Sequence, residues 1–325
     1  MGEAVRVTAE LDATTLRPLT ADDVDAMIEL NTLCEIAECG QPDHEVITWI
    51  RDGVEDYSAF GIFDEQGLAA AAWIDTQPSG HAGFEGDVRV RPGLDKAVGD
   101  PLLDAIRAVA AAADPQRPVH YFANASADRA RAWVESRGAT LIRHFWRMRI
   151  DLDERHSAVP APVDGVTVRT VRDEDADLRE AFRVVDTAFQ DHFGHESRTF
   201  DQWHTALRKR SHLDFSTWWF AEVDGVPVAA LFGWRLPDHE YEWTGHVGTL
   251  GTLREARGRG IGSLLLRTAF AEFSDRGLRK ATLGVDATNP TGAVRLYESV
   301  GMHAEHEWVL YELPRKDAAE NSVGT

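Results

Sequence analysis

Apolar residues recur along the chain at two periods, and these periods alternate in the same order in both halves. TLRPLTADDVDAM, from Thr15, and TVRTVRDEDADLREAF, from Thr167, each predict a short strand, a turn, an acidic helix start and an amphipathic helix. GIFDEQGLAAAAWID alternates around a polar turn with Gly67, and WFAEVDGVPVAALFGW does so around Asp224-Gly225, so each half continues as an antiparallel hairpin. A helix, a strand and a second helix follow. They are PLLDAIRAVAAAA, HYFAN and RARAWVESRG in the first half, and IGSLLLRTAFAEF, ATLGVDATN and AVRLYESVG in the second. HFWRMRIDL and EHEWVLYEL close the two halves as Trp-bearing strands.

This repetition predicts an α/β protein of two tandem domains, each a twisted mixed sheet with antiparallel and parallel pairs, flanked by helices. The stretch DLDERHSAVPAPVDG is charged and proline-bearing, without apolar periodicity, and marks the join. The expected division is residues 1–152, a linker 153–165, and 166–325. The polar tail after Leu313 is expected to fray.

Composition narrows the classes of function. The chain has 325 residues and a hydrophobic fraction of 43%, enough for two cores. No apolar run reaches the ~18 residues of a membrane span, and the N-terminus lacks a basic-then-apolar signal, so a cytoplasmic protein without a membrane partner is expected. A formal charge of -20 argues against nucleic acid, because phosphate binding needs a basic face to release counterions. Cys34 and Cys39 are too few for a disulfide framework or a zinc site, and no other metal set converges. Nothing in the pattern fixes the oligomeric state.

The candidate chemistry lies in REARGRGIGSLLL, Arg254 to Leu266. An apolar strand, His246 to Gly251, leads into it and a helix from Ile261 leads out, so Arg257-Gly258-Arg259-Gly260-Ile261-Gly262 occupies a strand-to-helix turn. Such a turn exposes the first unpaired amides of the helix and the positive end of its dipole. Glycines let an anion approach the backbone, and arginines add charge-assisted hydrogen bonds, which suits a pyrophosphate. No Lys-Ser/Thr pair follows the last glycine, as a P-loop would require, and the glycine spacing differs from the dinucleotide fingerprint.

Arg257-x-x-Gly260-x-Gly262 with its Leu-rich helix, then TLGVDATN, then NPTGAVRLYESVGM, resembles the coenzyme A-binding half of the GCN5-related N-acetyltransferases. The resemblance covers about Val166 to Leu313. The first half resembles the same fold in degraded form, and the tandem arrangement is similar to actinobacterial two-domain acetyltransferases.

The resemblance implies acetyl-coenzyme A as cosubstrate, with a small-molecule amine as acceptor. Arg257, Gly258, Arg259, Gly260, Ile261 and Gly262 would hold the pyrophosphate. The entering strand, Thr249, Leu250, Gly251, Thr252 and Leu253, would bond the pantetheine and the thioester oxygen, with Asn289 beside the arm. Tyr297 would protonate the leaving thiolate. The first half reads VRPGLDKAVGDPLLDAI at the equivalent loop, where the glycine spacing is broken and Asp100-Pro101 stand at the helix entry. Its counterpart of Tyr297 is Ala132, followed by Trp133, so one coenzyme per chain is expected, held by the second half.

An attacking amine must lose a proton, and the strand HEYEWTGHVGTLG offers Glu242 and His246, four apart and on one face if extended. Asp191 and His192, in FQDHFGHESRTFDQWHTALRKR, are candidates to line the acceptor pocket. No cysteine lies near these motifs, so direct attack without a covalent enzyme intermediate is expected. A coenzyme-binding sensor without turnover is the competing class.

Overall fold

Periodicity and turn chemistry both survive in the computed structural model, which describes residues 16–42, 44–53, 56–76, 83–210, 213–238, 241–288 and 292–314. Contacts divide the chain into two units, one formed by residues up to 142 together with the C-terminal segment from Leu310, the other essentially Arg143–Val309.

In the first unit, β1 (Leu16–Pro18), β2 (Ser58–Asp64), β3 (Gly67–Asp75), β4 (Phe84–Val90) and β5 (Val119–Asn124) lie side by side in that order. The end of β12 (His303–Leu313) follows β5. β1, β2, β3 and β4 pair antiparallel, and β4 pairs with β5 in parallel. Ala69 to Ala72 of β3 are completely buried; their small side chains let α1 (Val24–Cys39) and α3 (Asp100–Ala113) pack on this strand. The core under α1 gathers Met27, Leu30, Cys34 and Ile50 against Leu19, Ala59 and Leu68. α2 (His44–Gly53) and α4 (Asp128–Glu135) complete the unit.

The second unit repeats the plan. β7 (Thr167–Thr170) leads to α5 (Asp175–Phe189) and α6 (Phe200–Arg208); then come β8 (Trp218–Val223), β9 (Val226–Asp238), β10 (Glu242–Thr252), α7 (Ile261–Asp275), β11 (Lys280–Asp286) and α8 (Ala293–Ser299). The β8–β9 hairpin turns on Asp224 and Gly225, both at positive φ (51° and 76°), as a two-residue turn matching strand twist demands. One sheet face packs on α7, where Leu265, Leu266, Phe270 and Phe273 meet Ala281, Leu283 and Val285. The other packs on α5 and α6 through Leu178, Trp203, Phe220, Phe232 and Trp234.

The strand order of the second unit is β6-β11-β10-β9-β8-β7, where β6 is Thr140–Asp151. β6 is the Trp-bearing strand that ends the first half in sequence, yet it pairs with β11 from Lys280↔Asp151 through Asp286↔Phe145. Its alternation explains the placement. Met148 and Ile150 enter the core under α7, while Phe145, Arg147 and Arg149 share the opposite face. Residues 152–166, between β6 and β7, form no helix or strand.

Candidate active site

The site begins with a failure of strand pairing. β10 and β11 are parallel neighbours only at Gly245↔Ala281 and His246↔Thr282. Beyond that point β10 stays bonded to β9 as far as Thr252↔Ala229, but a bulge between Val247 and Thr249 shifts its register. Gly248, within the bulge, has no room for a side chain, since a Cβ there would lie 1.7 Å from the Trp234 ring. The bulge turns β10 away from β11 and leaves, on its far side, backbone groups with no strand beside them.

A cavity of about 610 Å³ fills the split. Val247 to Thr252 line it on one side and Leu283 to Asp286 on the other. It reaches both faces of the sheet. On the α7 face it meets Gly258, Gly260, Ile261, Gly262, Ala293, Leu296 and Tyr297; on the α5 face it meets Phe145, Phe189, His192, Phe193 and His195.

The loop at its mouth is built to leave amides open. Gly258 and Gly260 hold φ of 76° and 80°, a left-handed backbone that penalises side chains, and Gly260 is the N-cap of α7 with no side-chain cap. Among the described residues a Cβ at Gly258 would meet nothing within 4 Å, so space stands open in front of it. The first helical bond runs from Leu264 N–H to Gly260 C=O, so the amides of Ile261, Gly262 and Ser263 have no carbonyl one turn behind them. The sequence supplies no acidic side chain in this first turn, and the dipole's positive end faces the cavity unopposed. Together these are the features of a diphosphate cradle.

Arg257 lines the cavity but spends hydrogen bonds on the protein. Its Nε donates to Thr252 C=O at 3.0 Å and its Nη2 to Ala188 C=O at 3.1 Å, clamping the loop to the ends of β10 and α5. Arg259 points away, donating to Asp164 C=O, and is not among the cavity residues. Leu253 is buried in the core under α5. Thr249, Leu250, Gly251 and Thr252 line the split. Asn289 lies outside the described residues.

Tyr297 projects from α8 into the cavity and is 9% exposed. Burial pushes its hydroxyl up to about 12, so it keeps its proton throughout the neutral range. Among the described residues that hydroxyl has no hydrogen-bond partner, which leaves it a donor facing the cavity.

The structure separates the two candidate bases. Glu242 opens β10 with φ of 69°, exposed and accepting a bond from Trp243 Nε1, remote along the strand from the split. His246 is 3% exposed at the vertex of the split, its Nδ1 3.1 Å from Thr282 Oγ1 and its ring against Trp234. It directly precedes the cavity residue Val247.

Of the acceptor candidates, His192 lines the cavity with its ring 4.1 Å from that of Phe189. Burial, reinforced by Arg257, lowers its pKa and keeps it neutral. Asp191 is half exposed and paired with Arg254. Phe145, Phe193, Gly284 and Asp286, none of them a site residue predicted from the sequence, also stand on the cavity wall. Phe145 could be found only by knowing that β6 joins this unit. Gly284 and Asp286 follow from strand alternation once the split is known. α6 carries a sequence signal of its own, the capping box of Thr199 with Gln202, inside the stretch that holds Asp191 and His192.

Comparison with known proteins agrees with this geometry. The acetyltransferase (GNAT) family model matches residues 178–302, which run from within α5 to just past α8 and contain the split and the loop. Mycothiol acetyltransferase from Actinosynnema mirum is 30% identical over 255 residues, covering 76% of this chain and 80% of that protein. Its counterpart from Thermomonospora curvata is 32% identical over 251 residues, covering 76% and 79%. Among solved structures, a GCN5-related N-acetyltransferase from Sphaerobacter thermophilus superposes with a TM-score of 0.72 at 28% identity, covering 92% of this chain and 95% of its own. A tandem GNAT protein from the clavulanic acid biosynthesis pathway shares the fold at a TM-score of 0.70 and 16% identity, over 92% and 98%. The chain is an N-acetyltransferase and belongs to the GCN5-related N-acetyltransferase family.

Proposed function

We propose that this enzyme transfers the acetyl group of acetyl-coenzyme A to a primary amine of a small molecule by direct attack. The observation that carries the reading is the split between β10 and β11, which opens onto the uncapped start of α7 at one end and holds the Tyr297 hydroxyl beside it. The residues fit the cosubstrate. The amides from Gly258 to Ser263 would take the diphosphate, and the free edge of β10 from Thr249 to Thr252 would bond the pantetheine amides as a partner strand would.

When bound there, acetyl-coenzyme A supplies an acyl carbon open to nucleophiles. Each remaining step belongs to the protein. Backbone N–H groups on the free edge of β10 favour charge on the carbonyl oxygen as it develops, and fixed donors cost no reorganisation. Tyr297 O–H donates to the sulfur as it departs. With its pKa at about 12, the hydroxyl stabilises a thiolate by hydrogen bonding without itself ionising first. The acceptor amine loses its proton through water at the vertex, where His246 is the nearest of the predicted bases and neutral His192 lines the wall. The only cysteines, Cys34 and Cys39, belong to the first unit, which supports direct transfer.

A second reading gives this chain the acceptor of the mycothiol acetyltransferases, and the identity to those relatives favours it. Enzyme-catalysed formation of free coenzyme A from acetyl-coenzyme A, followed with glucosamine, L-cysteinamide, spermidine and the acceptor of those relatives, tests both. Turnover with that acceptor alone selects the second reading, and turnover with a simpler amine selects the first. Coenzyme binding without thiol release in any of the four would instead identify a sensor and overturn the proposal.

A further inference from the structure

Glycines in strands normally have a local reason. Gly248 and Gly245 have one, since a Cβ at either would strike the ring of Trp234 or Phe273 at 2.4 Å or less. Gly258 and Gly260 have another in their left-handed backbone. Gly284, in the middle of β11, has neither. It is absent from the residues with positive φ, and among the described residues a Cβ built on it meets nothing within 4 Å. A strand-interior glycine weakens its strand, and with no steric or backbone cause it marks a place where something else approaches the main chain.

Alternation shows which side it opens. Leu283 and Val285 enter the core under α7, so the missing side chain of Gly284 faces the other way, toward the α5 face. On that face Thr282 and Asp286 flank it along β11, and Arg147 stands across from it on β6, with Phe145 opposite Asp286. Thr282 is buried and engaged with His246, which closes the inner end. Gly284, Asp286 and Phe145 all line the cavity that passes through the split. The phosphate cradle and Tyr297 lie at the α7 side of that passage, so the α5 side is the route left for the second substrate.

Building on the proposed transfer reaction, we infer that Gly284 is a specificity-determining residue: its bare backbone is the floor of the acceptor lane and sets the width of the amine that reaches the vertex. It binds no coenzyme and moves no proton.

The test exploits the fact that Gly284 has ordinary strand backbone and open space above it. Gly284→Ala, Gly284→Val and Gly284→Leu are made in the full chain and assayed with acetyl-coenzyme A and glucosamine, L-cysteinamide, spermidine and the acceptor of the mycothiol acetyltransferase relatives, with coenzyme binding followed by calorimetry. The expected result is a thermal midpoint equal to or above the parent's, coenzyme affinity within twofold, and kcat/KM for the amine falling stepwise with side-chain size. At valine the fall should reach at least tenfold, and it should be steepest for the broad glucosamine. Unchanged amine kinetics in the valine variant would overturn the inference, as would coenzyme affinity and amine kcat/KM falling together. Loss of coenzyme binding or of thiol release in the parent enzyme is a separate outcome, since it removes the transfer reading and this inference with it.

Discussion

The two units carry the same strand-to-helix turn, and what each does with the start of its helix separates them. In the first unit the turn is consumed internally. Asp95 accepts a bond from Ala97 N–H, a 3-10 turn from Lys96 to Gly99 runs straight into α3, and Pro101 has no N–H to offer. Asp100, at the first helical position, is held by Trp133 Nε1 at 2.9 Å and by Arg137 at 2.9 and 2.7 Å. Trp133 is buried beside Val88 and Gly99, in the position where a ligand would need space. In the second unit two left-handed glycines replace those side chains, and among the described residues no side chain caps the start of α7. A binding site here is a helix start whose partners have been left out, and the same fold becomes scaffold when they are put back.

That contrast can be broken or sharpened by experiment. The largest effect is expected from Tyr297→Phe, which should lower kcat on the order of 10³-fold while coenzyme affinity stays level, because a donor to the leaving thiolate acts mainly in the transition state. Single-turnover kinetics with calorimetry separates the two, and an unaltered kcat removes Tyr297 from the reaction. Trp133→Ala, its neighbour by motif count in the first unit, should cost about 3 kcal/mol of stability in urea unfolding and leave turnover intact, because it empties a buried aromatic site remote from the chemistry.

Gly260→Asp copies the acidic helix entry of the first unit into the second. It adds a Cβ at positive φ and a negative charge where the diphosphate would rest, so acetyl-coenzyme A should bind on the order of 100-fold more weakly. The same titration on the parent protein should give one site per chain, and two sites would show that the first unit's turn is less closed than its hydrogen bonds imply.

A smaller effect concerns stability against pH. Asp177 is buried under β7; burial alone would raise its pKa, but the bonds from Arg172 and Arg169 outweigh burial and hold it well below the usual carboxylate range. A depressed folded pKa contributes stability that is present above the unfolded value near 3.9 and is lost as pH falls through the folded one. Asp177→Asn should therefore cost about 2 kcal/mol near neutral pH, and the gap to the parent should shrink on acidification. A gap independent of pH would assign the effect to packing instead.

Much of this was legible in the amino-acid order because it is local. The Asp224-Gly225 turn, the Leu-rich stripe of α7 and the glycine run of the loop each depend on neighbours within a few positions. The split between β10 and β11 was not legible, since it begins at the bulge between Val247 and Thr249, and the need for a bare residue at Gly248 beside Trp234 of β9 shows only once the strands have paired. Phe145 was missed for the same reason at longer range, because nothing near HFWRMRIDL announces that it will lie beside β11. The predicted base Glu242 illustrates the converse. Its spacing from His246 was right for one face, but its left-handed backbone at the hairpin places it at the exposed start of the strand.

The placement of β6 also bears on how the molecule comes into being. During synthesis this strand emerges well ahead of β11, the partner that will saturate it, while the end of β12, which completes the first unit's sheet, emerges last of all. Neither sheet can be finished on the ribosome before nearly the whole polypeptide has been delivered, and such distant pairings are slow to form and leave edges open to wrong partners meanwhile. A shortened chain starting after Leu152 would lack both that edge and the Phe145 wall of the cavity.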